Sequence, residues 1–205
     1  MYAARILYPV RVLGPGERIG LWLSGCKRAC PGCSNPELWD QRPEQQVSIQ
    51  ALAALIRRIA AEHPVEGLTI TGGEPFDQCA DLARLLEAVA DITRDVLIYT
   101  GYALEELHAR HSPDTEAVLA RTAVLIDGPY VEARNAAQPL RGSDNQRIHY
   151  LQPDVRGAYE AFLTRPGGIQ NFTLGGSTVS VGIHHADYAD ALTAHTARKG
   201  LIPHE

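Results

Sequence analysis

The amino-acid sequence predicts an α/β domain built on a largely parallel sheet. Short apolar runs alternate with stretches of helical periodicity, and glycine, proline, serine or asparagine separates them. The residues of unusual chemistry follow directly after the apolar runs, where parallel α/β sheets gather their sites. The 205 residues suffice for one domain with a real core, and no linker, repeat or low-complexity block divides them, so residues 1–205 are read as one domain. Hydrophobic residues at 45% and charged residues at 21% are ordinary soluble usage, which argues against disorder and against a membrane protein. A net charge of −5 with scattered arginines offers no polyanion-binding surface, so nucleic acid is not an expected partner. The stretch before Arg11 holds no sustained apolar run, so neither a signal peptide nor a membrane span is expected. Free thiols then point to the reducing cytoplasm.

A β-hairpin opens the chain: Arg5 to Leu13, a turn at Gly14-Pro15-Gly16-Glu17, and a strand from Ile19 to Leu23. Ser48 caps a helix whose apolar positions Ile49, Leu52, Leu55, Ile56 and Ile59 share one face, and His63-Pro64 ends it. A short strand, Leu68 to Thr71, comes next. Asp77 is positioned to cap a second helix that buries Leu82, Leu85, Leu86 and Val89, and Val96 to Thr100 forms another strand. Tyr102 to Arg110 and Thr115 to Arg121 read as helical, and Ala123 to Ile126 and Arg147 to Leu151 as strands. This alternation implies parallel strands joined by right-handed crossovers. Beyond Pro153 come a helix through Tyr159 and Phe162, a glycine-rich stretch, an apolar run from Thr178 to Ile183 and a closing helix from Ala186 to Lys199.

Three of the four cysteines, Cys26, Cys30 and Cys33, stand as C-x3-C-x2-C directly after the apolar run Ile19-Gly20-Leu21-Trp22-Leu23. One loop can thus present three thiolates to a single iron–sulfur cluster while the fourth cluster position lacks a local protein ligand. An open iron can bind substrate. A tetrahedral zinc site needs a fourth ligand, and zinc spacings run in two pairs rather than one triplet. A disulfide framework suits short, cysteine-dense secreted chains instead. The remaining cysteine, Cys79, falls on the apolar face of its helix and reads as a small core residue. His184, His185 and His195 lack partners at diagnostic metal spacing and read as structural or exposed.

Successive strands end in chemistry-bearing turns: the cysteine loop, Thr71-Gly72-Gly73-Glu74-Pro75, Thr100-Gly101-Tyr102 and Asp127-Gly128-Pro129. Gly72 and Gly73 allow close approach to the backbone, and Glu74 places a carboxylate suited to a cationic amino group; a plain strand-to-helix turn is the bland alternative. The run Arg141 to Arg147 is either part of this rim, a docking element, or only the loop entering the next strand. Trp22 and Trp39 flank the cysteine loop and are expected to pack over it.

The cysteine triplet after the first strand and Gly-Gly-Glu after the second resemble the radical S-adenosylmethionine superfamily. The segments Cys30-Pro31-Gly32-Cys33-Ser34-Asn35-Pro36, Tyr99-Thr100-Gly101-Tyr102, Asp127-Gly128-Pro129-Tyr130 and Arg141-Gly142-Ser143-Asp144-Asn145-Gln146-Arg147 resemble, in order, the activating proteins of anaerobic ribonucleotide reductase. The resemblance runs from about residue 19 to 151 and leaves 152–205 as a C-terminal extension. It implies a radical SAM fold, an incomplete (β/α)6-type barrel open on one side. It also implies a [4Fe-4S] cluster on Cys26, Cys30 and Cys33, with S-adenosylmethionine on the fourth iron. Gly72, Gly73 and Glu74 would contact the methionyl amino group, and Thr100 and Asp127 would lie toward the ribose. A bulky residue at Gly73 is therefore expected to impair S-adenosylmethionine cleavage before it impairs cluster content.

The implied reaction is reductive cleavage of S-adenosylmethionine to a 5'-deoxyadenosyl radical, which takes a hydrogen from a glycine of a partner, here anaerobic ribonucleotide reductase. A one-electron donor such as flavodoxin or ferredoxin completes the implied set. Gly32 stands where many members of the superfamily carry an aromatic residue, as in the reductase activators, and Ser34 stands where a tyrosine is common. Two further readings stay open: a radical enzyme acting on a small molecule or a ribosomal peptide, and a non-enzymatic iron–sulfur electron carrier.

Overall fold

The computed structural model describes residues 1–185 and 187–198. Six strands form one sheet in sequence order: β1 (Ala3–Val10), β2 (Arg18–Leu23), β3 (Gly67–Gly72), β4 (Val96–Tyr99), β5 (Val124–Asp127) and β6 (Arg147–Tyr150). The expected hairpin is present as the antiparallel pair β1 and β2, and β2 to β5 run parallel. The parallel strands are short and apolar on both faces because helices cover one side and later chain covers the other.

The helices are α1 (Ile49–Glu62), α2 (Cys79–Ala88), α3 (Leu104–His108) and α4 (Pro113–Ala120). Leu52 and Ile56 of α1, Leu82 and Leu85 of α2 and Val118 of α4 pack on Leu21, Ile70, Ile98 and Leu125, one face of the sheet. Alternate residues Leu97, Val124 and Ile126 point to the other face, where Tyr159 and Phe162 of α5 (Arg156–Leu163) meet them. Ser48 caps α1 as expected, its Oγ accepting from Ala51 N at 3.2 Å. Asp77 does not cap α2. Glu74 instead caps a 3-10 turn, Pro75–Gln78, that leads into α2, and Asp77 accepts from the Tyr102 hydroxyl at 2.8 Å.

The alternation rule fails at the last strand, for β6 is antiparallel to β5. A parallel return needs a crossover helix, and the connection at 128–146 holds only the 3-10 turn Glu132–Arg134. The connection instead folds along the rim. β1 and β6 end the sheet and are not paired to each other.

In the extension, β7 (Ile169–Leu174) and β8 (Ser177–Gly182) form a separate hairpin, followed by α6 (Tyr188–Arg198). Ala186 and Lys199, the expected ends of that last helix, lie outside the described residues, as does the side chain of His195. Gln170 of β7 accepts from Arg11 N at 2.9 Å and donates to Pro9 O at 2.6 Å, so the hairpin covers the exposed edge of β1. Val181 of β8 is buried against Leu7, Val10 and Trp22.

At the end of the sheet remote from the cysteine loop, the fully buried Arg18 donates to Thr69 Oγ1 at 2.7 Å and to Asp95 Oδ2 at 2.7 Å. The Tyr159 hydroxyl donates to the same carboxylate at 2.6 Å. A buried charge is tolerable only with such pairing. The cluster fastens the starts of β2, β3 and β4 to α5.

Candidate functional site

The turns after β2, β3, β4 and β5 meet in one cleft. Cys26, Cys30 and Cys33 line it together with Gly72, Gly73, Glu74 and Thr100. All three cysteines are half-buried and free, and Cys79 is not among the lining residues. Cys79 sits against the core, its thiol donating to Phe76 O at 3.1 Å.

The cysteine loop is closed at its base by Gly25 N to Leu38 O at 2.8 Å and Cys26 N to Trp39 O at 2.9 Å. At its tip Cys33 N donates to Cys30 O at 3.1 Å, while Asn35 N points at Cys33 Sγ at 3.4 Å. Such N–H donors favour a thiolate. Burial pushes the Cys26 thiol up, and the N–H groups of Arg28 and Ala29 oppose that. Among the described residues no three His, Cys, Asp or Glu side chains converge on a single metal ion. A cubane takes one thiolate per iron, so its three ligands surround a cluster rather than converge on one ion. The donor set fits that group: three free thiols of one loop lie on a cleft that contains no fourth cysteine.

The Gly-Gly-Glu turn supports the loop from below. Gly73 N donates to Leu23 O and Glu74 N to Gly25 O, each at 2.8 Å. A Cβ at Gly72, whose φ is +104°, would fall 2.4 Å from Leu23 O, and one at Gly73 would fall 2.4 Å from Gly25 O. Both glycines line the cleft, but the backbone that approaches them most closely belongs to the cysteine loop. A side chain at 73 therefore strikes that loop before it reaches a ligand.

Glu74 is not an open carboxylate on the rim. Only 1% exposed, it accepts from Phe76 N at 2.9 Å, from Thr100 Oγ1 at 2.8 Å and from Gly101 N at 2.8 Å, tying the β3 turn to the end of β4. Burial pushes its carboxyl up to about 7, against the pull of these donors. Thr100 is spent on the same clamp.

Asp127 is not among the cleft-lining residues. It accepts from Leu104 N at 2.7 Å and from Arg147 at 2.5 Å, with His149 Nε2 3.0 Å away, so it pins α3 and β6 rather than facing the opening. Burial alone raises this carboxyl, but Arg147 and the Leu104 N–H outweigh it and hold it below its ordinary value.

The run Arg141 to Arg147 belongs to the rim. Gln146 accepts from Gly142 N at 2.8 Å and donates to Gly128 O at 3.0 Å, and both Gly142 and Gln146 line the cleft. Trp39 lines the cleft as well, whereas Trp22 is buried on the far side of β2. Sequence reasoning missed Arg28, Tyr99 and Tyr130, which also line it. Tyr99 ends an apolar strand and Tyr130 follows Asp127-Gly128-Pro129, and that position after strand ends was the available signal.

A family model described as a 4Fe-4S single cluster domain matches residues 12–149. A Salmonella typhimurium protein is 31% identical over 152 residues, covering 71% of this chain and 96% of its own length. An Escherichia coli K12 protein is 30% identical over 159 residues, covering 71% and 96%, and a Haemophilus influenzae protein is 34% identical over 157 residues, covering 69% and 94%. Each of the three carries the name anaerobic ribonucleoside-triphosphate reductase-activating protein.

Proposed function

The chain belongs to the family of anaerobic ribonucleoside-triphosphate reductase-activating proteins, and from that premise we propose that it is a radical SAM activase that generates a glycyl radical on such a reductase. The observation that carries the proposal is the cleft itself, where three free thiols of one loop stand against a glycine turn and are not joined by a fourth cysteine. A [4Fe-4S] cluster on Cys26, Cys30 and Cys33, with S-adenosylmethionine at its open iron, would supply the one-electron cleavage and the hydrogen abstraction.

The chain's own residues position and shield. The backbone ladder at 24–26 and 38–39 fixes the thiols relative to the sheet, and the Gly72-Gly73 turn holds the loop from beneath. Glu74, clamped by Thr100 and Gly101, fixes the cleft floor. The 128–146 segment forms the opposite wall through Gln146. Reacting groups must meet within contact distance, so a protein substrate has to thread a flexible glycine-bearing segment between these walls. On this reading the six-stranded sheet is the incomplete barrel of the radical SAM fold. The electron comes from a carrier of the flavodoxin or ferredoxin type, and the working compartment is the cytoplasm. Among the described residues no helix is long and apolar enough to cross a membrane.

The test is anaerobic incubation of the reconstituted protein with S-adenosylmethionine, reductant and an anaerobic ribonucleotide reductase. A glycine-centred doublet in the electron paramagnetic resonance spectrum, with methionine and 5'-deoxyadenosine as products, is expected. Cleavage of S-adenosylmethionine without that doublet moves the assignment to a small-molecule or peptide substrate. No cleavage at all leaves an electron carrier.

A further inference from the structure

The family match ends at residue 149, yet later residues reach the cleft. A smaller cavity adjoins it, shares Ser34, Asn35, Thr71 and Tyr99 with it, and is walled on the hairpin side by Ser180 and His184. Two buried polar atoms among its lining residues, Tyr99 Oη and His184 Nε2, have no hydrogen-bond partner. Native proteins rarely leave such groups unpaired, and two beside one cavity mark a place where an incoming group completes them.

Their chemistry is complementary. Burial pushes the Tyr99 hydroxyl up, so it remains a protonated donor, and burial pushes the His184 imidazole down, so it remains neutral. A neutral imidazole with its proton on Nδ1 accepts at Nε2. One donor and one acceptor are what a single peptide group requires. His184 is held from two sides: its backbone oxygen accepts from Asn135 Nδ2 at 2.9 Å, and its ring lies 4.3 Å from that of Tyr188. Asn135 Nδ2 also reaches the hydroxyl of Tyr130, a cleft-lining residue, at 3.0 Å. The position of the extension is thereby coupled to the rim.

We propose that Tyr99 and His184 form a subsite that grips one backbone peptide group of the reductase's glycine-bearing segment as it enters the cleft. The C-terminal hairpin is then a substrate-binding element of the activase. This inference rests on the glycyl-radical reading above; the competing occupant is water.

The experiment uses the full chain with its cluster reconstituted, as wild type, Tyr99→Phe and His184→Phe, each change removing the polar atom while keeping a ring. Glycyl-radical spins are measured against reductase concentration, and thermal midpoints are recorded. The half-saturating reductase concentration should rise about fivefold to tenfold in each variant, the scale of one lost hydrogen bond, with the yield at saturation retained. The midpoint of Tyr99→Phe should be equal to or above that of wild type, because an orphaned hydroxyl has been removed. An unchanged half-saturating concentration overturns the subsite and leaves the cavity to water. A lowered midpoint with reduced yield at every concentration marks a structural role and also overturns it. If wild type cleaves S-adenosylmethionine but leaves the reductase without a radical, the activation reading falls and the subsite falls with it.

Discussion

Replacing Gly73 with alanine tests whether the Gly-Gly turn supports the cysteine loop. The new methyl carbon would lie 2.4 Å from Gly25 O, 2.9 Å from Gly25 C and 3.0 Å from Gly25 N, while ordinary contact begins at 3.4 Å. All three atoms are backbone, so no side chain can swing aside, and the loop has to retreat by about 1 Å at the carbonyl. That retreat stretches the 2.8 Å bond from Glu74 N to Gly25 O and strains the ladder that fixes Cys26 through Trp39. Overpacking costs about 1–3 kcal/mol and one lost hydrogen bond costs about 1 kcal/mol. The expected loss is therefore about 2–4 kcal/mol, concentrated on the thiol loop. Anaerobic reconstitution followed by iron and sulfide analysis, with urea unfolding of the same protein, measures both effects. Cluster content should fall together with S-adenosylmethionine cleavage, and the unfolding midpoint should drop. Full cluster content and wild-type stability with cleavage alone abolished would refute the support role and return Gly73 to the ligand contact first expected of it.

Cys30→Ala should lose the cubane signal, whereas Cys79→Ala should keep it, because Cys79 lies against the core and off the cleft; iron and sulfide counts with spin resonance of the reduced protein decide both. Asp95→Ala should cost about 3–5 kcal/mol in urea unfolding, because it leaves the buried Arg18 without its carboxylate at the far end of the sheet; a loss under 1 kcal/mol would count against the cluster's role. Asp127→Asn should destabilise the protein by about 2 kcal/mol at neutral pH through the weakened Arg147 and Leu104 bonds. The folded-state carboxyl titrates below its ordinary value, so its contribution is complete above the unfolded pKa and is lost as pH falls through the folded one. Wild type should thus lose stability below about pH 4 more steeply than the variant, and parallel acid limbs would contradict the assignment.

The sequence by itself determined what depends on spacing along the chain. Three cysteines within one short loop fixed the ligand set, because a single turn of backbone carries them to one place wherever it is mounted. Apolar periodicity and the Ser48 cap located α1, and the run from Ile19 to Leu23 located β2, because hydrophobic pattern and local hydrogen bonding decide such elements. Motifs at strand ends also announced the rim, since a parallel sheet gathers those ends.

Only the tertiary structure decided who meets whom across the rim. Gly72 and Gly73 are required by the neighbouring backbone of Leu23 and Gly25, which lies some fifty residues away in sequence, on the order of a contact no local pattern encodes. Glu74 and Asp127 read as open carboxylates because charge is visible in a sequence, whereas the donors that occupy them, Thr100, Gly101, Leu104 and Arg147, arrive from other strands and helices. The direction of β6 turned on the missing helix before it, and the place of His184 turned on a hairpin that docks against β1. Long-range packing and the pairing of buried polar groups set these features, and both are properties of the folded chain rather than of any segment.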